Sequence, residues 1–365
     1  MRYTECYLPE YPVSGDMWQE LKNESRPILV YGMGNGADKL FRRFEKYGIV
    51  PADIFASDGF VRGHTFRGMR VKSFAEVREE YGDFVIVLSF ASNREEVLEM
   101  LSGIDEKYDM YVPDMPVAGE DEYFDMDFYN SHYTDIKRAY ESLADKESKN
   151  AFSSIIRYKL SGRMSYLMNC YSEKEELYRE LSQKRIQRII DVGAYNGDTL
   201  KESIRYFPEL SDAVAIEPDP KNYKRLLKLT NTLEHPRVRA IEAAAWNSVT
   251  NASFFSGGNR NSSISSTASF EAREKDVSLL TVDSLDFKCD YIKYDVEGAE
   301  MEALEGSHQT IEKYRPTLLV SLYHRSKDIF SITNYLREKY PFYNMYLRRL
   351  RCVPAWEIDL ILTET

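Results

Sequence analysis

Arg188-Ile-Ile-Asp-Val-Gly-Ala-Tyr-Asn-Gly-Asp198-Thr199 is the stretch that decides how this chain folds. Ile189, Ile190 and Val192 form a short apolar run, which reads as a buried parallel strand with Asp191 at its acidic end. Gly193 and Gly197 then let the backbone turn tightly, and Asp198 and Thr199 suit the start of a helix. About twenty residues on, Asp212-Ala-Val-Ala-Ile-Glu217-Pro218-Asp-Pro repeats the pattern of strand, acidic tip and helix. Strand, glycine turn, helix, strand and acid together make a nucleotide site. The glycines admit the ligand, and the carboxylate of Glu217 accepts hydrogen bonds from both ribose hydroxyls.

Charge selects the nucleotide. A dinucleotide site normally carries an apolar residue where Asp191 stands, because a pyrophosphate passes close by and a carboxylate would repel it. An anion pointing into the turn suits a ligand with a cationic end, and S-adenosyl-L-methionine has both an ammonium and a sulfonium. The competing reading of Asp191 is a helix-capping acid at a purely structural turn.

Downstream the same alternation continues. Asp219 caps a helix running to Leu233, and Val238–Ala245 is a third strand. Residues 251–270 hold little but Ser, Asn, Gly and Thr around three Phe, and read as a long loop bordering an acceptor site. Asp290-Tyr-Ile-Lys-Tyr-Asp-Val-Glu-Gly-Ala-Glu300 is a fourth strand and its turn, with a helix from Met301 to Tyr314. Pro316 to His324 is a fifth strand, Ile329–Lys339 a helix, and two final strands cover 343–348 and 356–363. The alternation implies an open, largely parallel sheet with helices on both faces. The turn between the last two strands is too short for a crossover helix, so they should pair antiparallel.

Upstream, residues 1–25 are polar and form an N-terminal arm. Ile28-Leu-Val-Tyr31 is a strand followed by Gly32-Met-Gly34-Asn-Gly36-Ala37, which fits the GxGxx(G/A) pattern. Residues 26–116 therefore read as a small Rossmann-like domain of their own, either nucleotide-binding or degenerate. This stretch resembles the small nucleotide-binding modules found on some sugar-modifying enzymes. Residues 117–187 open on an acidic linker, Gly119-Glu-Asp-Glu-Tyr123. They continue as a helical connector, with helices over Ser131–Ala144, Lys149–Leu160 and Glu173–Lys184. The catalytic domain is 188–365.

Four motifs carry a resemblance to a known family. They are Asp191-Val-Gly-Ala-Tyr-Asn-Gly-Asp-Thr, Ile216-Glu-Pro-Asp-Pro, Ile292-Lys-Tyr-Asp-Val-Glu-Gly-Ala-Glu and Leu322-Tyr-His324, in that order. Together they resemble the FkbM family of S-adenosylmethionine-dependent methyltransferases, and the similarity extends upstream through Leu143-Ala-Asp-Lys-Glu-Ser148. The resemblance implies an α/β, class I methyltransferase fold, Rossmann-like and seven-stranded with the last strand antiparallel. It also implies methyl transfer, typically to a hydroxyl of a sugar, glycan or natural product. One departure stands in the turn: Tyr195 takes the place of the family's usual Asn, and Asn196 follows it.

The expected donor contacts are then specific. Gly193 lets the methionine chain pass over the first strand, Asp191 faces its ammonium directly or through water, and Glu217 takes the ribose. The turn Tyr195-Asn196-Gly197-Asp198 and Pro218 flank the nucleoside, and the backbone at Ala244 and Ala245 borders the adenine. An alcohol nucleophile needs a base within about 3 Å of its proton. Asp295, Glu297 and His324 are the candidates, with Lys293 on the same strand face as Asp295. Each has a structural alternative. Glu297 complements a helix dipole, His324 serves as a core histidine, and Lys293 pairs with a nearby carboxylate.

Composition narrows the partners. The 365 residues carry 48 basic and 59 acidic side chains, a net charge of −11. Such a chain is a poor nucleic-acid binder. Its four cysteines lie far apart, without a CxxC pair, which fits a reducing cytoplasmic setting and gives no metal site. No apolar run approaches the roughly 20 residues of a membrane span. The expected partner is a small-molecule or glycan acceptor, including a nucleotide-linked sugar. The N-terminal module would recognise that acceptor or its carrier, or hold a homodimer. Two other functions compete: a NAD-dependent sugar-modifying enzyme using the N-terminal glycine motif, and a non-catalytic binding protein on a methyltransferase fold.

Overall fold

The computed structural model describes residues 6–61, 63–119, 122–256 and 273–364. The chain begins with helix α1 (Met17–Lys22), whose N-terminus is capped by Asp16. Then come β1 (Ile28–Tyr31), α2 (Asn35–Tyr47), β2 (Asp53–Ala56), a small hairpin of β3 (Thr65–Phe66) and β4 (Met69–Arg70), and β5 (Lys72–Ser73). Helix α3 (Phe74–Tyr81), β6 (Val85–Leu88), α4 (Glu95–Asp105) and β7 (Met110–Tyr111) complete this part. Its sheet has the order β5-β2-β1-β6-β7 and its pairings are parallel. Strands β1, β2 and β6 are buried throughout, and β1 and β6 are the Val/Ile/Leu-rich runs expected of strands covered on both faces. The first glycine after β1 is closely packed, while Gly34 has open space beside it. Gly32 has φ +109, and a Cβ there would stand 2.7 Å from Phe90. The Phe90 ring packs edge-on to Tyr31 at 5.1 Å.

The connector carries α5 (Met126–Ser142), α6 (Lys146–Ser161), α7 (Met164–Met168) and α8 (Lys174–Ser182). Helix α5 starts five residues before the expected Ser131 because Asp125 caps it, accepting from Phe128 N at 2.9 Å. The connector is more than a tether. Phe152, Ile155 and Ile156 of α6 lie in one continuous core with Leu29 and Ile86 of the first sheet and Ile190 and Ile292 of the second. Within the expected linker 119–123, residues 120 and 121 lie outside the described residues.

The C-terminal part holds β8 (Arg188–Val192), α9 (Asp198–Tyr206), β9 (Asp212–Ile216), α10 (Pro220–Thr230) and β10 (Arg237–Ile241). It continues with β11 (Ala244–Ala245), β12 (Thr250–Ser256), β13 (Arg273–Leu280), β14 (Tyr291–Tyr294), α11 (Glu300–Glu305) and α12 (His308–Tyr314). Last come β15 (Thr317–Ser321), α13 (Asp328–Lys339), β16 (Tyr343–Arg349) and β17 (Ile358–Glu364). The seven-stranded sheet has the order β10-β9-β8-β14-β15-β17-β16. Its first five strands are parallel, and β17 runs antiparallel to both β15 and β16. The order reverses between β8 and β14, so their C-terminal tips form the crevice where such sheets bind ligands.

Three sequence expectations change. The strand expected over Val238–Ala245 splits: β10 ends at Ile241, and β11 leaves for a separate sheet beside β13. Of the loop expected over 251–270, residues 251–256 belong to β12, which pairs antiparallel with β13; the remainder lies outside the described residues. The helix expected from Met301 to Tyr314 breaks into α11 and α12. Gly306 sits against the Trp246 carbonyl, where a Cβ would come within 2.0 Å of its oxygen.

Candidate active site

The turn after β8 is shaped by two close approaches. Gly193 has φ +89, and a Cβ there would lie 1.9 Å from the Asp295 carbonyl oxygen, so the tips of β8 and β14 meet across it. Gly197 has φ +87 and faces Leu229, which a Cβ would approach to 2.4 Å. Between them Tyr195 takes φ +47, a left-handed conformation unusual for a bulky side chain. Asn tolerates that conformation better, which gives the family's preference at this position a physical cause. Tyr195→Asn should therefore raise stability by about 1 kcal/mol in denaturant unfolding. Gly193→Ala should fail to close the β8–β14 crevice, seen as loss of donor binding in a protein with lowered thermal stability.

Glu217 leaves the end of β9 and is 6% exposed. Its Oε2 accepts from Tyr195 N at 2.8 Å and its Oε1 from Asp219 N at 2.8 Å. A carboxylate has about four lone-pair sites, so acceptor capacity remains for a ligand. Burial pushes its carboxyl up to about 7, against the pull of the Asp219 and Tyr195 amides.

A charged centre lies under the crevice. Asp191 is 1% exposed and stands in register with Lys293 on β14. Neither Asp191 carboxylate oxygen has a hydrogen-bond partner among the described residues, and burial raises its carboxyl to about 7. Lys293 Nζ donates to Thr199 Oγ1 at 2.9 Å and to Asp295 Oδ2 at 3.1 Å. Despite burial, the carboxylates of Asp295 and Asp191 keep this lysine charged. Asp295 Oδ1 accepts from Tyr323 Oη at 3.2 Å. Burial works against the Asp295 charge, but Lys293 and His324 hold its carboxyl below the usual carboxylate range.

His324 differs from its expected role. The ring is fully buried and does not line the cavity described below. Its Nδ1 lies 2.9 Å from Glu300 Oε1, and its Nε2 lies 3.5 Å from both Asp295 Oδ1 and Glu297 Oε2. Burial opposes the charge, yet Glu300, Glu297 and Asp295 carry its pKa up to about 10. Its burial away from the cavity and the carboxylates that favour its charged form fit the structural alternative better than the role of base. Glu300 Oε1 also accepts from Val296 N at 2.9 Å, so the His324–Glu300 pair braces the loop after β14.

These titrations set the pH response of the unliganded protein. A buried acid whose folded pKa is raised holds its proton where the unfolded chain has released it. Asp191, Glu217 and Asp359 therefore lower stability as pH rises from about 4 to about 7. The stability contributed by His324 is full below its unfolded pKa near 6.5 and is lost as pH rises through about 10. Thermal unfolding should accordingly show a lower Tm at pH 8 than at pH 5.5.

A cavity of about 370 Å³ follows the strand tips. Gly193, Tyr195, Asp198, Glu217, Pro218, Ala244 and Ala245 line one part of it, and Lys293, Asp295 and Glu297 another. Asn196 and Gly197 shape the turn without lining the wall, and Asp191 lies behind it. Several lining residues carry no local sequence signal. Glu357 and Asp359 come from the start of β17 and the residue before it, and Lys174 and Tyr178 from α8, while Tyr323, just after β15, stands in the Leu322-Tyr-His324 motif. Asn93 comes from the N-terminal part. It is delivered by a backbone pairing, with Ser92 N donating to Val353 O at 2.7 Å and Val353 N to Ser92 O at 2.9 Å.

Residues 191–350 match the family described as the methyltransferase FkbM domain. No curated protein matches the chain. Among solved structures, methyltransferase FkbM from Methylobacillus flagellatus KT superposes with a TM-score of 0.70 at 18% identity, over 94% of this chain and 92% of that one. This likeness extends the common fold through the N-terminal part and the connector. Weaker likenesses cover about half of the chain. An rRNA methylase from Streptococcus thermophilus has a TM-score of 0.34 at 11% identity, over 52% of this chain and 93% of that one. A precorrin-6y C5,15-methyltransferase from Geobacter metallireducens GS-15 has a TM-score of 0.35 at 10% identity, over 53% and 92%. The strand order, the glycine-shaped crevice between β8 and β14 and the matched residues 191–350 agree: this chain carries a methyltransferase domain of the FkbM family.

Proposed function

We propose that the protein is an S-adenosylmethionine-dependent O-methyltransferase acting on a hydroxyl of a sugar, glycan or other small molecule. The observation that carries the donor is Asp191, whose buried carboxylate has no partner among the described residues and which lies beside a crevice. Lys293 balances part of that charge from the neighbouring strand, and a cationic ligand end would supply the hydrogen-bond partner missing among the described residues. Glu217 retains acceptor capacity for the two ribose hydroxyls, and Ala243, Ala244 and Ala245 leave room for a flat base.

When bound, S-adenosylmethionine supplies a methyl group activated by the sulfonium. The protein holds the acceptor hydroxyl in line with it and keeps Asp295 ionised beside Lys293. Asp295 receives the hydroxyl proton as the oxygen takes the methyl group. A methylated oxygen still carrying its proton is far more acidic than a carboxylic acid, so a carboxylate of low pKa suffices.

Calorimetric titration with S-adenosylmethionine, its demethylated product and NAD tests this reading, with binding of the first two and silence from NAD expected. Donor affinity should also tighten as pH rises to about 7, because the cation requires ionised Asp191. An affinity independent of pH would place the ammonium elsewhere. Mass analysis of the product then distinguishes an ether from a methylated amine or carbon.

A further inference from the structure

The turn after β8 holds a bulky residue in a strained conformation. Tyr195 takes φ +47, where a side chain with a ring is strained far more than glycine and more than asparagine. Strain of this kind persists only where the surroundings impose it, and it gathers at ligand sites. The backbone is imposed: Tyr195 N donates to Glu217 Oε2 at 2.8 Å. That bond would hold an asparagine equally well, so it gives no reason for a ring.

Nor does the packing give one. Among the described residues Tyr195 belongs to none of the apolar clusters and packs against none of them. Its ring meets no other ring and no cation there, and its hydroxyl makes no hydrogen bond. The other tyrosines of the cavity wall are engaged within the protein. Tyr178 stacks on Tyr206 at 4.6 Å, and Tyr323 donates to Asp295 and lies 4.1 Å from the His324 ring. Tyr195 is half-buried in the wall beside Glu217 and Pro218 at the tip of β9. Ala243, Ala244 and Ala245 follow β10 in the same wall. The tips of β8 and β10 lie two strand spacings apart, roughly 10 Å, with β9 between them. The alanines offer a flat base only methyl groups and backbone, and the ring in this part of the wall is that of Tyr195.

We infer that Tyr195 is an aromatic platform for the adenine of the methyl donor, and that its strained backbone is retained for that contact. This rests on the S-adenosylmethionine reading and deepens it. The ring distinguishes this chain from family members with asparagine at the position, in donor affinity and not in the chemistry of transfer. Stacking uses the π face and not the hydroxyl, so phenylalanine can replace the tyrosine, while asparagine has no ring to offer. Tyr195→Asn then moves stability and affinity in opposite directions: it relaxes the turn and removes the platform.

The test uses the full chain beside its Tyr195→Asn and Tyr195→Phe variants. Each is titrated calorimetrically with S-adenosylhomocysteine, the demethylated donor product, and each is unfolded in urea. Tyr195→Asn should bind the product about tenfold more weakly than the parent while its unfolding midpoint rises. Tyr195→Phe should keep the parent's affinity. The absorption band of the bound adenine should weaken on binding to the parent and to Tyr195→Phe, as stacked bases do, and stay unchanged on binding to Tyr195→Asn. Equal affinity of Tyr195→Asn and the parent would overturn the inference. So would a Tyr195→Phe variant as weak as Tyr195→Asn, since the contact would then belong to the hydroxyl. Silence from the parent itself would sink the donor reading and this inference with it, whereas product binding that ignores the ring would sink this inference alone.

Discussion

Asp295→Asn should lower the maximal rate of methyl transfer by about 10²–10⁴-fold while donor affinity changes little. The side chain stands at the tip of β14, in the cavity wall, with Lys293 at 3.1 Å and Tyr323 Oη at 3.2 Å. Asn keeps the shape and can still accept from Tyr323, so the wall should survive. What disappears is the charge that receives the hydroxyl proton. Single-turnover transfer to an accepted hydroxyl compound, with donor affinity measured on the same sample, separates the two effects. A variant as fast as the parent would leave the rate to alignment alone, or show that the acceptor atom is not a hydroxyl oxygen. His324→Gln should behave differently. Removing the imidazolium unbalances Asp295, Glu297 and Glu300 together, so stability should fall with the rate.

Glu217→Ala should weaken donor binding by roughly 2–4 kcal/mol, since two hydrogen bonds to a charged acceptor are lost at once. The protein itself should remain folded. The Glu217 carboxyl is raised to about 7 by burial, so its charge opposes folding at neutral pH, and removing it relieves that cost. The amides of Tyr195 and Asp219 do lose their acceptor, and Glu217→Gln, which keeps the carbonyl oxygen, is the control for that loss. Calorimetry on both variants beside their thermal unfolding curves checks the expectation. Donor affinity equal to the parent's in Glu217→Ala would place the ribose away from β9.

The order of elements was legible because local chemistry determines it. Ile189, Ile190 and Val192 cannot be left in water, and the glycines that follow allow a turn that other residues resist. The same grammar recurs at Glu217 and Asp295, and with it the parallel sheet and its crevice follow. The antiparallel end was legible from the short connection between β16 and β17, which leaves no room for a crossover. Asp125 was a readable cap that the helical periodicity alone placed too late.

By itself, then, the sequence determined the order of elements along the chain, the glycine turn, the acids at the strand tips and the family its motifs resemble. Tertiary structure alone decided what those acids are. Asp191 became a buried carboxylate with no hydrogen bond among the described residues, and His324 became a charged brace, because Glu300, Glu297 and Asp295 close around it. Asn93 reached the cavity through two backbone hydrogen bonds between segments about 260 residues apart along the chain. Gly306 broke a helix because a carbonyl from Trp246 occupies the space of its missing side chain. Protonation state and cavity shape depend on the dielectric and on charges brought in from distant elements, and those are set only when the chain has closed around them.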